Sequence, residues 1–165
     1  MLFVTVGTAN YIMHELFHKM VEIAPVYPGE IMFQGHIPES TNLPFKHETM
    51  LSKEEYNDYL RQAELVICHA GIGTIHDCFM LKKKALVVPR KKARREHFNN
   101  HQMEICTQLE KAPLPNIYIL TDITQLSARI NQLLACPVMD RPEKTSFGQL
   151  CDEVHGVIDK WVRQY

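Results

Sequence analysis

The chain has 165 residues, of which 45% are hydrophobic and 22% charged, and its formal net charge is −1 at pH 7. These values are typical of one globular domain with a sizeable core. They give no electrostatic reason to expect nucleic acid as a partner. We also expect no membrane-spanning helix, because no apolar run approaches the roughly 20 residues that a bilayer requires.

The N-terminal residues and the cysteines indicate the cellular compartment. Residues 1–6 lack the basic and long apolar regions of a signal peptide. Five cysteines form no CxxC pair and stand among apolar residues. We therefore predict reduced thiols, most of them buried, in a cytoplasmic protein.

Strand-like and helix-like segments alternate along the chain. The predicted strands are 2–6, 31–34, 45–50, 65–68, 85–88 and 116–120, and the predicted helices are 11–24, 52–63, one from about 74, 99–110 and 122–134. A capping box, Ser52 with Glu55, marks the start of the second helix. This alternation predicts an α/β fold with a parallel sheet and helices on both faces. Ligands bind such sheets outside the carboxyl ends of the strands.

Residues 1–135 are predicted to form this Rossmann-like domain, and 136–165 differ in character. Residues 136–146 are typical of an extended crossing. Apolar residues then recur at helical spacing: Phe147, Leu150, Cys151, Val154, Ile158, Trp161 and Tyr165. This amphipathic helix is predicted either to pack on its own domain or to dock on a partner protein, where Trp and Tyr serve well as anchors.

A glycine-rich turn follows the fourth predicted strand. In Gly71-Ile72-Gly73-Thr74, neither glycine has a Cβ, so the backbone can approach a ligand closely. A helix that starts near Thr74 would offer its N–H groups and positive dipole end to a phosphate or pyrophosphate. Two glycines at such a turn are also compatible with strand-to-helix packing alone.

The dinucleotide-binding fingerprint is incomplete here. His76 or Asp77 stands where a third glycine would be needed, and Pro89-Arg90 ends the next strand where an acidic residue is expected. NAD is therefore not expected, and Arg90 leaves NADP as the weaker alternative.

Three other features could carry chemistry. Asp77 lies one turn into the helix. Its carboxylate is equally compatible with accepting hydrogen bonds from ribose hydroxyls and with a solvated surface position. His97 and His101 are four residues apart, which fits a metal on one helix face, but no HExxH or third ligand is present. We therefore expect no metal.

Eight of the fourteen residues from 82 to 95 are basic. This basic run is compatible with a solvated face, with anionic donor groups, or with an anionic membrane surface. We place Arg90, at a strand end, in the cleft and the others on the surface.

The motifs in combination resemble a known family. Phe3-Val4-Thr5-Val6-Gly7-Thr8, then Cys68-His69-Ala70-Gly71-Ile72-Gly73-Thr74, Val87-Val88-Pro89-Arg90, Glu96-His97 and Asn100-His101-Gln102 are similar to glycosyltransferase family 28 C-terminal domains. The resemblance is strongest to the short Alg13-like and PssE-like (Cps14G-like) subunits. It implies the C-terminal, donor-binding half of a GT-B glycosyltransferase, with the acceptor half in a membrane-associated Alg14-like or PssD-like partner.

The resemblance also implies roles for individual residues. Gly71, Gly73 and Thr74 would take the UDP diphosphate, and Asp77, where the family usually has Glu, would take the ribose. Asn100 and Gln102 match the helix start that meets the donor sugar. The full predicted donor site is Gly7, Thr8, His69, Gly71, Gly73, Thr74, Asp77, Arg90, His97, Asn100 and Gln102.

The catalytic base is not assigned, and His69 and His97 are its weak candidates. Lys82 and Lys84 stand where the family commonly has Gly and Pro.

The function expected from this resemblance is that of a UDP-sugar-binding subunit in an inverting, metal-independent, two-component glycosyltransferase. It would transfer a sugar to a lipid-linked acceptor in exopolysaccharide or other glycan assembly. The partner would recruit it from the cytoplasm to the inner face of the membrane. The alternative is a non-catalytic accessory subunit that stabilises or stimulates a partner transferase.

Overall fold

The computed structural model describes residues 1–39, 42–96 and 99–140. Its strands are β1 (Leu2–Thr5), β2 (Ile31–Gln34), β3 (Lys46–Glu48), β4 (Leu65–His69), β5 (Ala85–Val88) and β6 (Ile117–Ile119). Its α-helices are α1 (His14–Ile23), α2 (Lys53–Gln62), α3 (Ile72–Met80), α4 (His101–Lys111) and α5 (Leu126–Ala135). The predicted C-terminal docking helix and His97 lie outside the described residues.

All six strands are parallel, in the order β3-β2-β1-β4-β5-β6. This is the strand order of a doubly wound Rossmann sheet, in which the crossover reverses direction between the central strands. The reversal falls between β1 and β4, where Thr5 lies beside Cys68. The predicted parallel α/β fold is therefore confirmed.

Alternate residues of the central strands enter two separate cores. On one face Leu2, Val4 and Ile67 pack with apolar residues of α1 and α5. On the other, Phe3 and Val66 pack with apolar residues of α2, α3 and α4. Because both faces are covered, the central strands are almost entirely apolar, as is usual in parallel sheets, whereas the edge strand β3 (Lys-His-Glu) is largely exposed.

Local sequence signals set several element boundaries. In the capping box of α2, the Glu55 amide donates to Ser52 Oγ at 3.2 Å and the Ser52 amide to the Glu55 carboxylate at 2.8 Å. The helix predicted over 122–134 is divided: a 3₁₀ turn capped by Asp122 precedes α5. α1 begins at His14 rather than Tyr11, and the Tyr11 ring instead lies 5.8 Å from the Arg90 guanidinium carbon.

The basic run is less exposed than predicted. Lys84 is only 7% exposed, and its ammonium group donates to the carbonyls of Leu133 and Cys136 at 2.6 and 2.9 Å. Lys83 donates to the carbonyls of Arg61 and Ala63. These lysines satisfy helix C-terminal carbonyls, so the prediction that they lie on the surface is wrong for Lys84.

The thiols of Cys68, Cys78 and Cys106 are free and buried, as predicted, and Cys136 is free and partly exposed. Burial raises the pKa of Cys106 to about 12, which keeps this thiol protonated and unreactive. In the described part of the chain, no helix has both the length and the apolarity needed to cross a membrane.

Candidate nucleotide-binding site

A cleft of about 470 Å³ opens at the carboxyl ends of β1, β2 and β4. Its size is within the roughly 300 to 1,000 Å³ of small-molecule sites. The residues that line it are Thr5, Gly7, Thr8, Gln34, Leu51, Ser52, Lys53, Tyr56, His69, Gly71, Gly73, Thr74 and Asp77. It therefore lies beside the β1–β4 crossover, where this fold class binds ligands.

The N-terminus of α3 forms one wall of the cleft. α3 begins at Ile72, two residues earlier than predicted, with Gly71 as an N-cap that has no side chain to bond the first amides. The N–H groups of Ile72, Gly73 and Thr74 precede the first intrahelical bond, which the Ile75 amide makes to Gly71. These amides and the positive end of the helix dipole suit an anion.

The two glycines of this turn have different roles. A Cβ on Gly73 would meet no heavy atom within 4 Å, so this position opens into the cleft. A Cβ on Gly71 would lie 2.4 Å from His69 Nε2. Gly71 is therefore required for the close approach of the His69 ring, whereas Gly73 leaves space for a ligand.

His69 packs between two glycines. A Cβ on Gly7, whose φ is +78°, would lie 2.7 Å from His69 Cε1, in addition to the close approach at Gly71. The end of β1 and the turn after β4 thus enclose the imidazole from both sides. This places His69 in the cleft, while its role as catalytic base stays a prediction.

Asp77 lies on α3 at the cleft, and its side chain is 44% exposed. Its carboxylate lies 3.4 Å from His76 Nδ1, a weak contact. Thr8 and Thr74 also line the cleft. Of the predicted donor site, the structure therefore brings together Gly7, Thr8, His69, Gly71, Gly73, Thr74 and Asp77.

Arg90 is not in the cleft, contrary to the prediction. It is 1% exposed, and its guanidinium donates to the carbonyls of Val6 and Glu96. Burial lowers the pKa of Arg90, partly offset by the Glu96 carboxylate. Because its donors are directed into the protein, Arg90 ties the end of β1 to the segment after β5 and leaves no basis for NADP 2′-phosphate binding.

Asn100 and Gln102 also lie away from the cleft lining. The Asn100 side chain accepts from the Lys92 amide at 3.2 Å, at the start of α4. Gln102 is 7% exposed and accepts from the amides of Ala70 and Arg90. The sugar contacts predicted for both residues stay predictions.

Several cleft residues were missed from the sequence. Gln34 ends an otherwise apolar strand, and its amide group joins Thr5 Oγ1 and the carbonyls of Gly7 and Thr49. Tyr56, on α2, lines the cleft together with Thr74, and burial raises its pKa. Gln34 could have been recognised from the sequence because it is the polar residue that ends a buried strand. No local pattern marks Tyr56.

More than half of the chain matches one known family. The family model of the glycosyltransferase family 28 C-terminal domain matches residues 30–146. The chain belongs to this family. It is 36% identical over 75 residues to the UDP-N-acetylglucosamine transferase subunit ALG13 of Candida albicans (46% of this chain, 23% of that protein), and 32% identical over 120 residues to ALG13 of Mus musculus (66% of this chain, 10% of that protein). The chain thus spans a quarter or less of the length of these curated relatives.

Solved structures of low sequence identity share the family fold. The NMR solution structure of ALG13 superimposes with a TM-score of 0.52 at 18% identity and covers 93% of both chains. The glycosyltransferase SnogD from Streptomyces nogalater gives a TM-score of 0.53 at 15% identity over 81% of this chain and 34% of that chain. The predicted equivalence to the Rossmann-like C-terminal half of a GT-B glycosyltransferase is confirmed.

Proposed function

We propose that this chain is the donor-binding subunit of a glycosyltransferase, and that its cleft takes the nucleoside-diphosphate part of a UDP-sugar. The observation that carries the proposal is the start of α3, where three backbone amides precede the first intrahelical bond beside an open Gly73 position. Backbone amides and a helix dipole stabilise a diphosphate without a metal. We therefore propose a metal-independent enzyme with no other cofactor.

The remaining cleft residues fit a nucleotide in this orientation. Asp77 lies one turn along α3, where a carboxylate can accept from ribose hydroxyls, and Lys53 adds a positive charge to the opposite wall. Because the curated relatives are named as UDP-N-acetylglucosamine transferase subunits, UDP-N-acetylglucosamine is the first donor to test.

The described residues form one Rossmann-like domain, whereas a GT-B enzyme has two. We propose that a membrane-associated Alg14-like or PssD-like subunit supplies the second domain, binds a lipid-linked acceptor and recruits this chain to the membrane. The reaction would invert the anomeric centre, with a general base near the acceptor hydroxyl. Whether the product is an exopolysaccharide or another glycan depends on that partner.

Calorimetric titration of UDP tests the donor site, with the partner subunit added in a second series. Gly73→Trp should abolish binding, because the indole would fill the space beside the amides, while circular dichroism stays unchanged. Ser127→Trp is the matched control: Ser127 is exposed at the same helical position of α5, outside the cleft lining. Unimpaired UDP binding by Gly73→Trp would show that the site is elsewhere.

Absence of UDP binding by the wild-type chain, alone and with its partner, would instead favour the accessory-subunit alternative. An assay of the two-subunit complex against a panel of UDP-sugars then identifies the donor.

A further inference from the structure

Gln102 occupies an unusual position for a residue expected to meet a sugar. It is the second residue of α4, and 7% of its surface is exposed. Its single carbonyl oxygen, Oε1, accepts from the Arg90 amide at 2.9 Å and from the Ala70 amide at 3.3 Å. Both lone pairs of this oxygen are therefore used by backbone groups.

These two amides belong to the ends of neighbouring strands. In the β4–β5 ladder His69 lies opposite Val88, and each chain then leaves the sheet. Pro89 has no N–H to extend the ladder. The Ala70 and Arg90 amides are consequently beyond the last strand pairing and buried, where an unbonded N–H is costly.

Ala70 is the residue between His69 and the glycine turn, and it is 1% exposed. The Ala70 amide therefore fixes where Gly71 enters α3, and so where the first amides of α3 lie. On the other side, Arg90 is held to the Val6 and Glu96 carbonyls. One side-chain oxygen thus connects the glycine turn to a buried network that includes the end of β1.

We propose that Gln102 is a positioning residue, which acts through Oε1 to hold the glycine turn against the end of β5. Its contribution to nucleotide binding, which rests on the proposed function, is indirect: it sets the geometry of the α3 amides without contact to the diphosphate. This role differs from a sugar contact, because the latter would use the side-chain Nε2 donors and leave the turn unchanged.

Two substitutions separate the roles. Gln102→Met keeps the size of the side chain and removes the acceptor. Gln102→Glu keeps an acceptor oxygen and removes the Nε2 donors. Gln108→Met, on the same helix and without a described side-chain hydrogen bond, controls for the exchange of a glutamine for methionine in α4.

The first measurement is amide hydrogen exchange by NMR, which needs no ligand. In Gln102→Met the protection of the Ala70 and Arg90 amides should fall by about tenfold or more, while that of the Ile67 amide stays unchanged, because local opening is sufficient for exchange. Gln102→Glu should restore the protection. Full protection of both amides in Gln102→Met would overturn the proposal.

The second measurement is affinity for UDP and for UDP-N-acetylglucosamine. Gln102→Met should weaken both ligands equally, by about tenfold, since preorganised donors lose their geometry, and Gln102→Glu should recover most of the loss. If both variants bind UDP normally and lose affinity for the UDP-sugar alone, Gln102 contacts the sugar and the proposal fails. If the wild-type chain binds neither ligand, the donor-site proposal fails, and the exchange experiment still decides the role of Gln102.

Discussion

Polar side chains have different partners at the two edges of the sheet, the amino-terminal edge where the strands begin and the carboxyl-terminal edge where they end. At the amino-terminal edge, lysine side chains from the basic run donate hydrogen bonds to helix C-terminal carbonyls, as Lys84 does to the carbonyls of Leu133 and Cys136. At the carboxyl-terminal edge, neutral side chains such as Gln34 tie the strand ends together, and the first amides of α3 have no side-chain cap. The lysines thus stabilise helix ends remote from the cleft, whereas the edge at the cleft uses the buried Arg90 together with neutral side chains and leaves the first α3 amides without a side-chain cap.

The largest effect is expected at the amino-terminal edge. Lys84→Met should lower the free energy of unfolding by about 3 kcal/mol, because one buried and one partly buried carbonyl lose a charged donor. The affinity of the remaining folded protein for UDP should not change. Urea denaturation and calorimetry measure the two quantities, with the exposed Lys92→Met as the control.

A smaller effect is expected where the carboxyl-terminal edge meets the ligand. Gly73→Ala should weaken UDP binding by about tenfold, or about 1.4 kcal/mol, since a methyl group enters the space in front of the amides. The same change should raise stability by up to about 1 kcal/mol, because alanine favours the helix. A loss of stability together with affinity would mean that Gly73 serves packing rather than binding.

A third prediction concerns backbone strain at Lys82, which lies at the amino-terminal edge of the sheet. Lys82 has φ +52° and follows the last turn of α3, where the Lys83 amide bonds to the Cys78 carbonyl in a Schellman arrangement. Lys82→Gly should stabilise the protein by about 1 kcal/mol, because glycine adopts this conformation without a Cβ penalty. Lys82→Ala, which keeps the penalty, is the control and should give no such gain in thermal denaturation.

The smallest effect concerns Glu96, in the segment after β5. Glu96 is 2% exposed, and burial raises the pKa of its carboxyl above the usual 4.5. The native state therefore retains this proton to higher pH than the unfolded state, so the stability from Glu96 is complete below pH 4.5 and is lost as pH rises through the raised pKa. Unfolding free energies of Glu96→Gln and wild type should diverge in favour of the variant as the pH rises above 4.5; parallel profiles would contradict this.

The fold could be predicted from the sequence because the local signals for strands, helices and turns agreed with one another. β2 was predicted with its observed bounds, and the Ser52 capping box marked the start of α2, since both depend on residues next to each other in the chain. The glycine turn and Asp77 both line the cleft, and the ligand contacts predicted for them stay predictions. Element order then followed from the alternation of strands and helices.

What the sequence did not reveal depends on contacts across the fold. A strand-end arginine suits an anion site by its chemistry, but Arg90 donates to the carbonyl of Val6, 84 residues away in the chain, and to that of the nearby Glu96. Lys84 belonged to a run that looked solvated, and its partners are about fifty residues further along. Tyr56 reaches the cleft only because α2 packs beside α3, which no local pattern indicates.

The pairing of β1 with β4 also has a consequence for the order of folding. β1 is apolar on both faces, and its neighbours are Ile31–Gln34 on one side and the distant Leu65–Cys68 on the other. Closing such long loops has an entropic cost that slows the formation of parallel sheets. The centre of the sheet, and with it the His69 environment between Gly7 and Gly71, should therefore form late in folding.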